Sequence, residues 1–147
     1  MANQTTSDIV IDAAPDTIMA IIADFKSYPS WATGVQGTEV IGAGVDGRAD
    51  QVRFVLDAPP IRDEYTLAYE WSEYSEVTWS LAERGKMLRG MDGAYVLEDL
   101  GDGRTRVTYR LAVDVSIPLL GMLKRKAEKV IIDTALKGLK KRVEQGA

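Results

Sequence analysis

The segment from Leu119 to Val143 constrains the fold of this chain most strongly, because its apolar residues recur at helical spacing on two adjoining faces. One apolar stripe consists of Leu120, Leu123, Ala127, Val130, Ile131 and Thr134, and the other of Ile132, Leu136, Leu139 and Val143. At ~100° per residue, the two stripes together form a wider apolar surface than a single core-facing stripe needs. The pattern therefore predicts a long helix that closes a hydrophobic cavity, and we expect the binding of an apolar molecule there to be the function.

The chain has 147 residues and no linker-like stretch, which predicts a single domain over residues 1–147. Apolar residues make up 46% of the sequence, enough for a globular core, and no run approaches the ~18 apolar residues of a membrane span. The sequence shows neither a secretory signal pattern nor any cysteine. A cytoplasmic protein without disulfides is therefore the expectation.

The absence of histidine and cysteine excludes most common catalytic arrangements. Serine–histidine and cysteine–histidine nucleophiles, thiolate zinc sites and the usual near-neutral general base all need one of these residues. The string Gly42 to Gly47 has the glycine spacing of a dinucleotide site, but the residues after it alternate like a strand instead of opening a helix. No spacing typical of metal ligands is present either. The sequence thus predicts no metal and no cofactor, and it favours binding over catalysis.

Charge is distributed unevenly, although the net charge is only −4. Residues 118–147 contain eight Lys and Arg residues against three acidic ones, a local charge of +5, whereas the remainder carries −9. Two interpretations stay open: a solvated outer helix face, or a surface for transient contact with an anionic membrane or an acidic partner. Nucleic acid is not an expected partner, because the chain as a whole is acidic and lacks a basic stripe interleaved with aromatic residues.

The periodicity of the remaining chain predicts two short helices and seven strands. Thr6 to Ala13 reads as the first strand, Pro15 opens a helix, and Pro29 starts a second short helix. Further strands are predicted at 35–42, 48–57, 61–72, 75–83, 87–99 and 104–115. Their short connections force antiparallel pairing, so the predicted class is α+β.

Alternation along the strands places bulky aromatic residues on one face of the sheet, the face that the long helix must cover. These rings could fill a dry core or line a cavity, and the pattern leaves both open. Arg89 and Asp63 share the inward phase if no bulge intervenes. The alternative for both is a strand end in water, since such residues are rarely buried without a partner. A paired inward Arg89 would suit a ligand carboxylate or carbonyl.

The candidate ligand-binding residues fall into three groups. Phe25 and Trp31 are expected near the entrance. The sheet side is expected to contribute Tyr65, Tyr69, Trp79, Arg89, Met91 and Tyr95. The helix side is expected to contribute Leu123, Ala127 and Ile131.

Three strings resemble a known family: Ile18 to Trp31, the turn Gly101 to Thr105 with the strand after it, and Ile117-Pro118 before the last helix. They are similar to the polyketide cyclase/dehydrase and lipid-transport family of the START-like (SRPBCC) superfamily, in particular to bacterial members. The resemblance spans almost the whole chain. It implies a helix-grip fold, in which a curved antiparallel sheet of about seven strands wraps around a long C-terminal helix and a deep hydrophobic cavity.

The resemblance also implies functions. Members of the family bind lipids, sterols or polyketide-like molecules, and some are aromatase/cyclases that use polar cavity residues. Arg89, Tyr65, Tyr69 and Tyr95 are the nearest equivalents here. We therefore expect binding of a hydrophobic small molecule, with a polyketide cyclase or dehydratase as the alternative and a ligand-free interaction domain as a second alternative. Oligomeric state is left open.

Overall fold

The computed structural model describes residues 4–32, 34–44, 48–58, 61–115 and 121–145; side chains at 43, 58, 61 and 121–124 are not described. The seven strands are β1 (Thr5–Ile11), β2 (Val35–Ala43), β3 (Ala49–Ala58), β4 (Ile61–Ser72), β5 (Glu76–Glu83), β6 (Leu88–Gly101) and β7 (Arg104–Val115). The helices are α1 (Pro15–Ala23), α2 (Tyr28–Trp31) and α3 (Gly121–Glu144), with a 3-10 turn at Phe25–Ser27.

The strands form one curved antiparallel sheet in the order β1-β7-β6-β5-β4-β3-β2. Consecutive strands from β2 to β7 are neighbours because their short connections allow only hairpin pairing. β1 joins the far edge beside β7, so the sheet runs from the first strand to the second. The helix-grip α+β fold is confirmed, and the strands lie within about two residues of their predicted bounds.

Helix α3 packs against β1 and β7 through the second apolar stripe of the sequence. The four residues of that stripe are buried: Ile132, Leu136, Leu139 and Val143. Burial of such side chains contributes ~1.5–3 kcal/mol each, so this stripe fixes the helix on the sheet. The face one step around the helix points instead toward strands β3 to β6, and only part of it is buried.

A buried carboxylate reinforces this attachment. Glu128 is only 1% exposed; its Oε1 accepts a hydrogen bond of 2.6 Å from Thr5 Oγ1, and its Oε2 accepts one of 2.7 Å from the backbone N–H of Val113. Lys140 near the other end of α3 donates to the carbonyl oxygen of Val10 at 2.8 Å. Buried polar groups are tolerated where they are hydrogen-bonded. Glu128 fastens one end of α3 to β1 and β7, and the partly exposed Lys140 links the other end to β1.

Candidate functional site

An apolar pocket of about 230 Å³ lies between α3 and the concave face of the sheet. Strands β3 to β7 supply its floor, α2 and the start of β2 form one side, and Val130, Ile131, Thr134 and Ala135 of α3 cover it. Val130 is 48% exposed and lies at the edge of the pocket. The helix thus presents one stripe to the core, and Val130, Ile131 and Thr134 of the adjoining stripe to an open space.

Seven of the residues singled out from the sequence line this pocket. They are Trp31, Tyr65, Tyr69, Trp79, Met91, Tyr95 and Ile131. The structure brings them together from α2, three strands and α3. Their part in ligand binding remains a prediction.

Of the other four candidates, three do not line the pocket. Phe25 is buried behind the lining, with its ring centroid 5.0 Å from those of Tyr28 and Tyr69. Ala127 is buried against the sheet and does not line the pocket. The side chain of Leu123 lies outside the described residues. Arg89 is exposed to solvent.

The interpretation in which Arg89 faces inward is wrong, because the unbulged strand that it requires is not present. A register shift between Leu88 and Gly90 marks a bulge in β6, and one extra residue turns Arg89 to the outer face. The carboxylate of Asp63 accepts backbone N–H groups of Glu64 and of residues 86–88, at 2.7–2.9 Å. Burial alone would raise the pKa of Asp63, but these four hydrogen bonds outweigh it and lower the pKa below its ordinary value. Asp63 therefore anchors the connection between β5 and β6.

Sequence reasoning missed three rings of the lining, which belong to Tyr28, Phe54 and Tyr109. Tyr109 lies in the buried alternation Val107, Tyr109 and Leu111, and Phe54 lies in the buried alternation Val52, Phe54 and Leu56. Both were therefore within reach of the strand pattern. Tyr28 offered no such signal, because it belongs to a helix of four residues.

Aromatic rings contact one another along the floor of the pocket. Trp79 lies 5.5 Å from Tyr95 and 5.4 Å from Tyr109 between ring centroids, and Tyr95 and Tyr109 meet edge to face at 4.6 Å. Phe54 and Tyr65 stack at 5.8 Å. Such pairs contribute ~0.5–1.5 kcal/mol each beyond burial. These ring–ring contacts between strand residues therefore stabilise the pocket wall without contacts from α3.

The indole of Trp79 lies flat on the sheet because its cross-strand partner is Gly93. A Cβ at Gly93 would stand 2.5 Å from Nε1 of Trp79, and nearer still to two ring carbons. Carbon atoms in contact are normally ~3.5–4.0 Å apart, so only glycine permits this approach. The pocket depends on this placement, because a ring that lay farther from the strand would occupy part of the open space.

The tyrosine hydroxyls of the pocket are neutral hydrogen-bond donors, whereas its one acidic lining residue among those described, Asp57, pairs with Arg62. Burial raises the pKa of Tyr28, Tyr65, Tyr69, Tyr95 and Tyr109, with a smaller rise in most of them from neighbouring tyrosines. They therefore stay protonated at neutral pH. The Tyr28 hydroxyl donates to the carbonyl oxygen of Ile22. Among the described residues the other four hydroxyls have no hydrogen-bond partner.

Within the described part of the chain, no three acidic side chains come close enough to hold a metal ion. No helix in that part combines the length and apolarity needed to cross a membrane.

Residues 3–144 match the family model described as polyketide cyclase/dehydrase and lipid transport. The chain belongs to this family. Its fold also matches solved structures, of which a START superfamily protein from Mycobacterium smegmatis has a TM-score of 0.90 at 23% identity, covering 99% of both chains. No curated protein matches the sequence.

Two further solved structures share the fold of this family member. The Zhui aromatase/cyclase from Streptomyces sp. R1128 has a TM-score of 0.77 at 14% identity, covering 99% of this chain and 95% of its own. The protein TTHA0849 from Thermus thermophilus has a TM-score of 0.79 at 21% identity, covering 98% of this chain and 99% of its own. At these identities the likeness establishes the fold, and the activity must be argued from the pocket.

Proposed function

We propose that this protein binds a hydrophobic small molecule, such as a lipid or a polycyclic polyketide-like compound, in the pocket beneath α3. The observation that carries the proposal is an apolar space of about 230 Å³ walled by aromatic rings. A cavity of ~150 Å³ is large enough for benzene, so this pocket suits a somewhat larger ring system. Each ~100 Å² of apolar ligand surface buried there contributes ~2.5 kcal/mol before the cost of association.

The hydroxyls of Tyr65, Tyr69, Tyr95 and Tyr109, which have no partner among the described residues, give the pocket a means of orienting its guest. A protonated phenol donates readily to a carbonyl, ether or hydroxyl oxygen of a ligand. Few polar groups on a mostly apolar wall are typical of small-molecule sites, where the apolar area supplies affinity and the donors supply orientation.

An aromatase/cyclase is the second candidate, favoured by the likeness to Zhui and by tyrosines that could polarise a carbonyl. Burial raises the pKa of these tyrosines, which makes them poor general bases at neutral pH. Arg89 cannot hold an enolate in the pocket from the outer face of the sheet. Binding is therefore the better-supported function. A ligand-free interaction domain has the least support, because it needs a filled interior.

The proposal extends to brief contact with an anionic membrane through α3. Arg125, Lys126 and Lys129 are exposed on the half of the helix that carries Val130 at the edge of the pocket. Cations beside an exposed apolar side chain favour an anionic lipid surface. Such contact would bring the edge of the pocket to a source of apolar ligand.

The test is a titration with N-phenyl-1-naphthylamine, an uncharged dye that fluoresces in apolar surroundings. We expect saturable binding with one dye per chain by native mass spectrometry. Ala135→Phe places a ring in the pocket and should weaken binding about tenfold or more. Ala20→Phe, at an exposed position of α1, adds the same ring outside the pocket and should leave the affinity unchanged.

If Ala135→Phe unfolds, Val35→Phe on the opposite side of the pocket fills the same space. Circular dichroism establishes that each variant is folded. Dye affinity that is equal in the pocket-filling and control variants would contradict the proposal.

A further inference from the structure

A second concavity adjoins the pocket on the far side of Trp31 and Thr134, between α2 and α3. Four polar residues in it, Ser30, Lys137, Lys141 and Arg142, are called the basic groove below. Its volume is about 590 Å³, and no acidic residue is among its described lining. A positively charged surface depression therefore lies one side chain away from the apolar pocket.

The wall between the two spaces is fixed by a close approach of the helices. A Cβ at Gly138 of α3 would stand 3.4 Å from the carbonyl carbon of Trp31, and nearer to its oxygen. Glycine at this position lets α2 rest directly on α3. Trp31 is consequently held at the boundary, with the pocket on one side of it and the basic groove on the other.

The cations of the basic groove are not neutralised by the described residues. On the same helix, Lys129 pairs with Asp133 and Lys140 with Glu144, whereas the described part of the chain offers Lys137, Lys141 and Arg142 no ion pair. Arg142 donates only to Ser30 Oγ, at 3.3 Å. Like charges four residues apart on a helix repel each other, so an anion between them would be stabilised.

Trp31 supplies a second sign of a missing polar partner. Its side chain is 7% exposed, and its buried Nε1–H finds no acceptor in the described part of the molecule. Indole N–H groups usually have a partner when they are buried.

We propose that the ligand is an amphiphile, with an apolar body in the pocket and an anionic group in the basic groove. A carboxylate, sulfonate or phosphate beside Trp31 would meet Lys137, Lys141, Arg142 and the hydroxyl of Ser30. This inference rests on the proposed function and narrows its ligand class. It concerns a single amphiphile and does not require a membrane.

Two dyes with the same apolar body test it. 8-Anilinonaphthalene-1-sulfonate carries a sulfonate that N-phenyl-1-naphthylamine lacks. The protein should bind the sulfonate about tenfold more tightly, and Lys137→Gln/Lys141→Gln/Arg142→Gln should abolish that preference while changing the affinity for the neutral dye less than about twofold. Raising the salt concentration should weaken only the sulfonate dye.

The matched control is Lys26→Gln/Arg84→Gln/Arg104→Gln, which removes three exposed charges that lie outside the basic groove and outside α3. It should keep the preference for the sulfonate. An equal loss of the sulfonate preference in the two triple variants would mean that only the long-range electrostatic field of the protein attracts the sulfonate, and it would overturn the inference. Lys137→Gln/Lys141→Gln, which keeps the Arg142–Ser30 hydrogen bond, replaces the groove variant if that one unfolds.

Ala135→Phe separates the possible failures. The sulfonate dye should lose affinity in this variant together with the neutral dye. Sulfonate binding that survives Ala135→Phe but not the groove substitutions would show a free-anion site and overturn the amphiphile. An affinity for the neutral dye that is the same in Ala135→Phe and the wild type would instead refute the proposed function. If Ala135→Phe weakens both dyes but the groove substitutions leave the preference for the sulfonate dye unchanged, this inference fails and the proposed function stands.

Discussion

Replacing Gly93 with alanine tests the packing that keeps the pocket open. The added Cβ would stand 2.5 Å from Nε1 of Trp79, about 1 Å closer than the ~3.5 Å of ordinary contact. The contacting atoms belong to a rigid bicyclic ring, so rotation of a flexible end cannot relieve the overlap. The indole must move off the strand, and the space above it is the pocket.

The expected cost of this overpacking is ~1–3 kcal/mol of unfolding free energy. For a chain of this size each kcal/mol lowers Tm by ~2–4 °C, so Gly93→Ala should melt ~2–12 °C below the wild type. The displaced indole also takes up part of the roughly 230 Å³ of open space. Affinity for N-phenyl-1-naphthylamine should therefore fall with stability.

Gly90→Ala on the same strand is the matched control. A Cβ there meets only the Cβ of Asp114, at 3.5 Å, and neither glycine has a positive φ. Differential scanning fluorimetry should find Gly90→Ala as stable as the wild type or slightly more so. Trp79→Phe should rescue Gly93→Ala, since it removes the fused ring that the methyl group strikes. Equal Tm and dye affinity in the two alanine variants would refute the account of Trp79.

Two further outcomes follow from the site. Because burial raises the pKa of five pocket tyrosines above the unfolded value of about 10, their contribution to stability is complete below that pH and is lost as the pH rises above it. The urea midpoint should therefore stay constant from pH 7 to 9 and fall steeply above pH 10, where unfolding raises the tyrosinate absorbance at 295 nm. Full ionisation of all six tyrosines while the protein stays folded would contradict this. If α3 contacts anionic membranes, the protein should sediment with phosphatidylglycerol vesicles but not with phosphatidylcholine vesicles, and Arg125→Gln/Lys126→Gln should reduce that binding; equal sedimentation with both lipids would exclude an electrostatic contact.

Strand positions and most inward faces could be predicted because they depend on a local period of two residues. The inward interpretation of Arg89 failed where one inserted residue at the bulge shifted that period; Gly90 and Gly93 are compatible with a bulge but do not fix its position. Ala127 was assigned to the pocket because periodicity gives an angle around the helix without saying which sector meets the sheet. That sector is set by long-range contacts, such as the one between Glu128 and Thr5.

Contacts between strands were beyond the reach of the sequence for a related reason. The approach of Trp79 to Gly93 requires the register of β5 on β6, which pairs these two residues across the strands. From the sequence, Gly93 suggested only a bulge. Similarly, the basic residues of α3 were visible, but their separation into paired lysines and an unneutralised groove beside Trp31 depends on where α2 lies.

The open space beneath α3 follows from how its aromatic residues are supported. Trp79, Tyr95 and Tyr109 contact one another and lie along the strands, and Gly93 provides the recess that lets the largest ring lie flat. Leu or Ile at these positions would lack the ring–ring contacts along the sheet. Such side chains would gain equivalent packing only from contacts with α3. The helix is held by its other stripe and by Glu128, so it does not need the pocket residues for its own stability. Substitutions at pocket-lining positions should therefore cost the fold little stability, provided that the aromatic rings keep their contacts with the sheet.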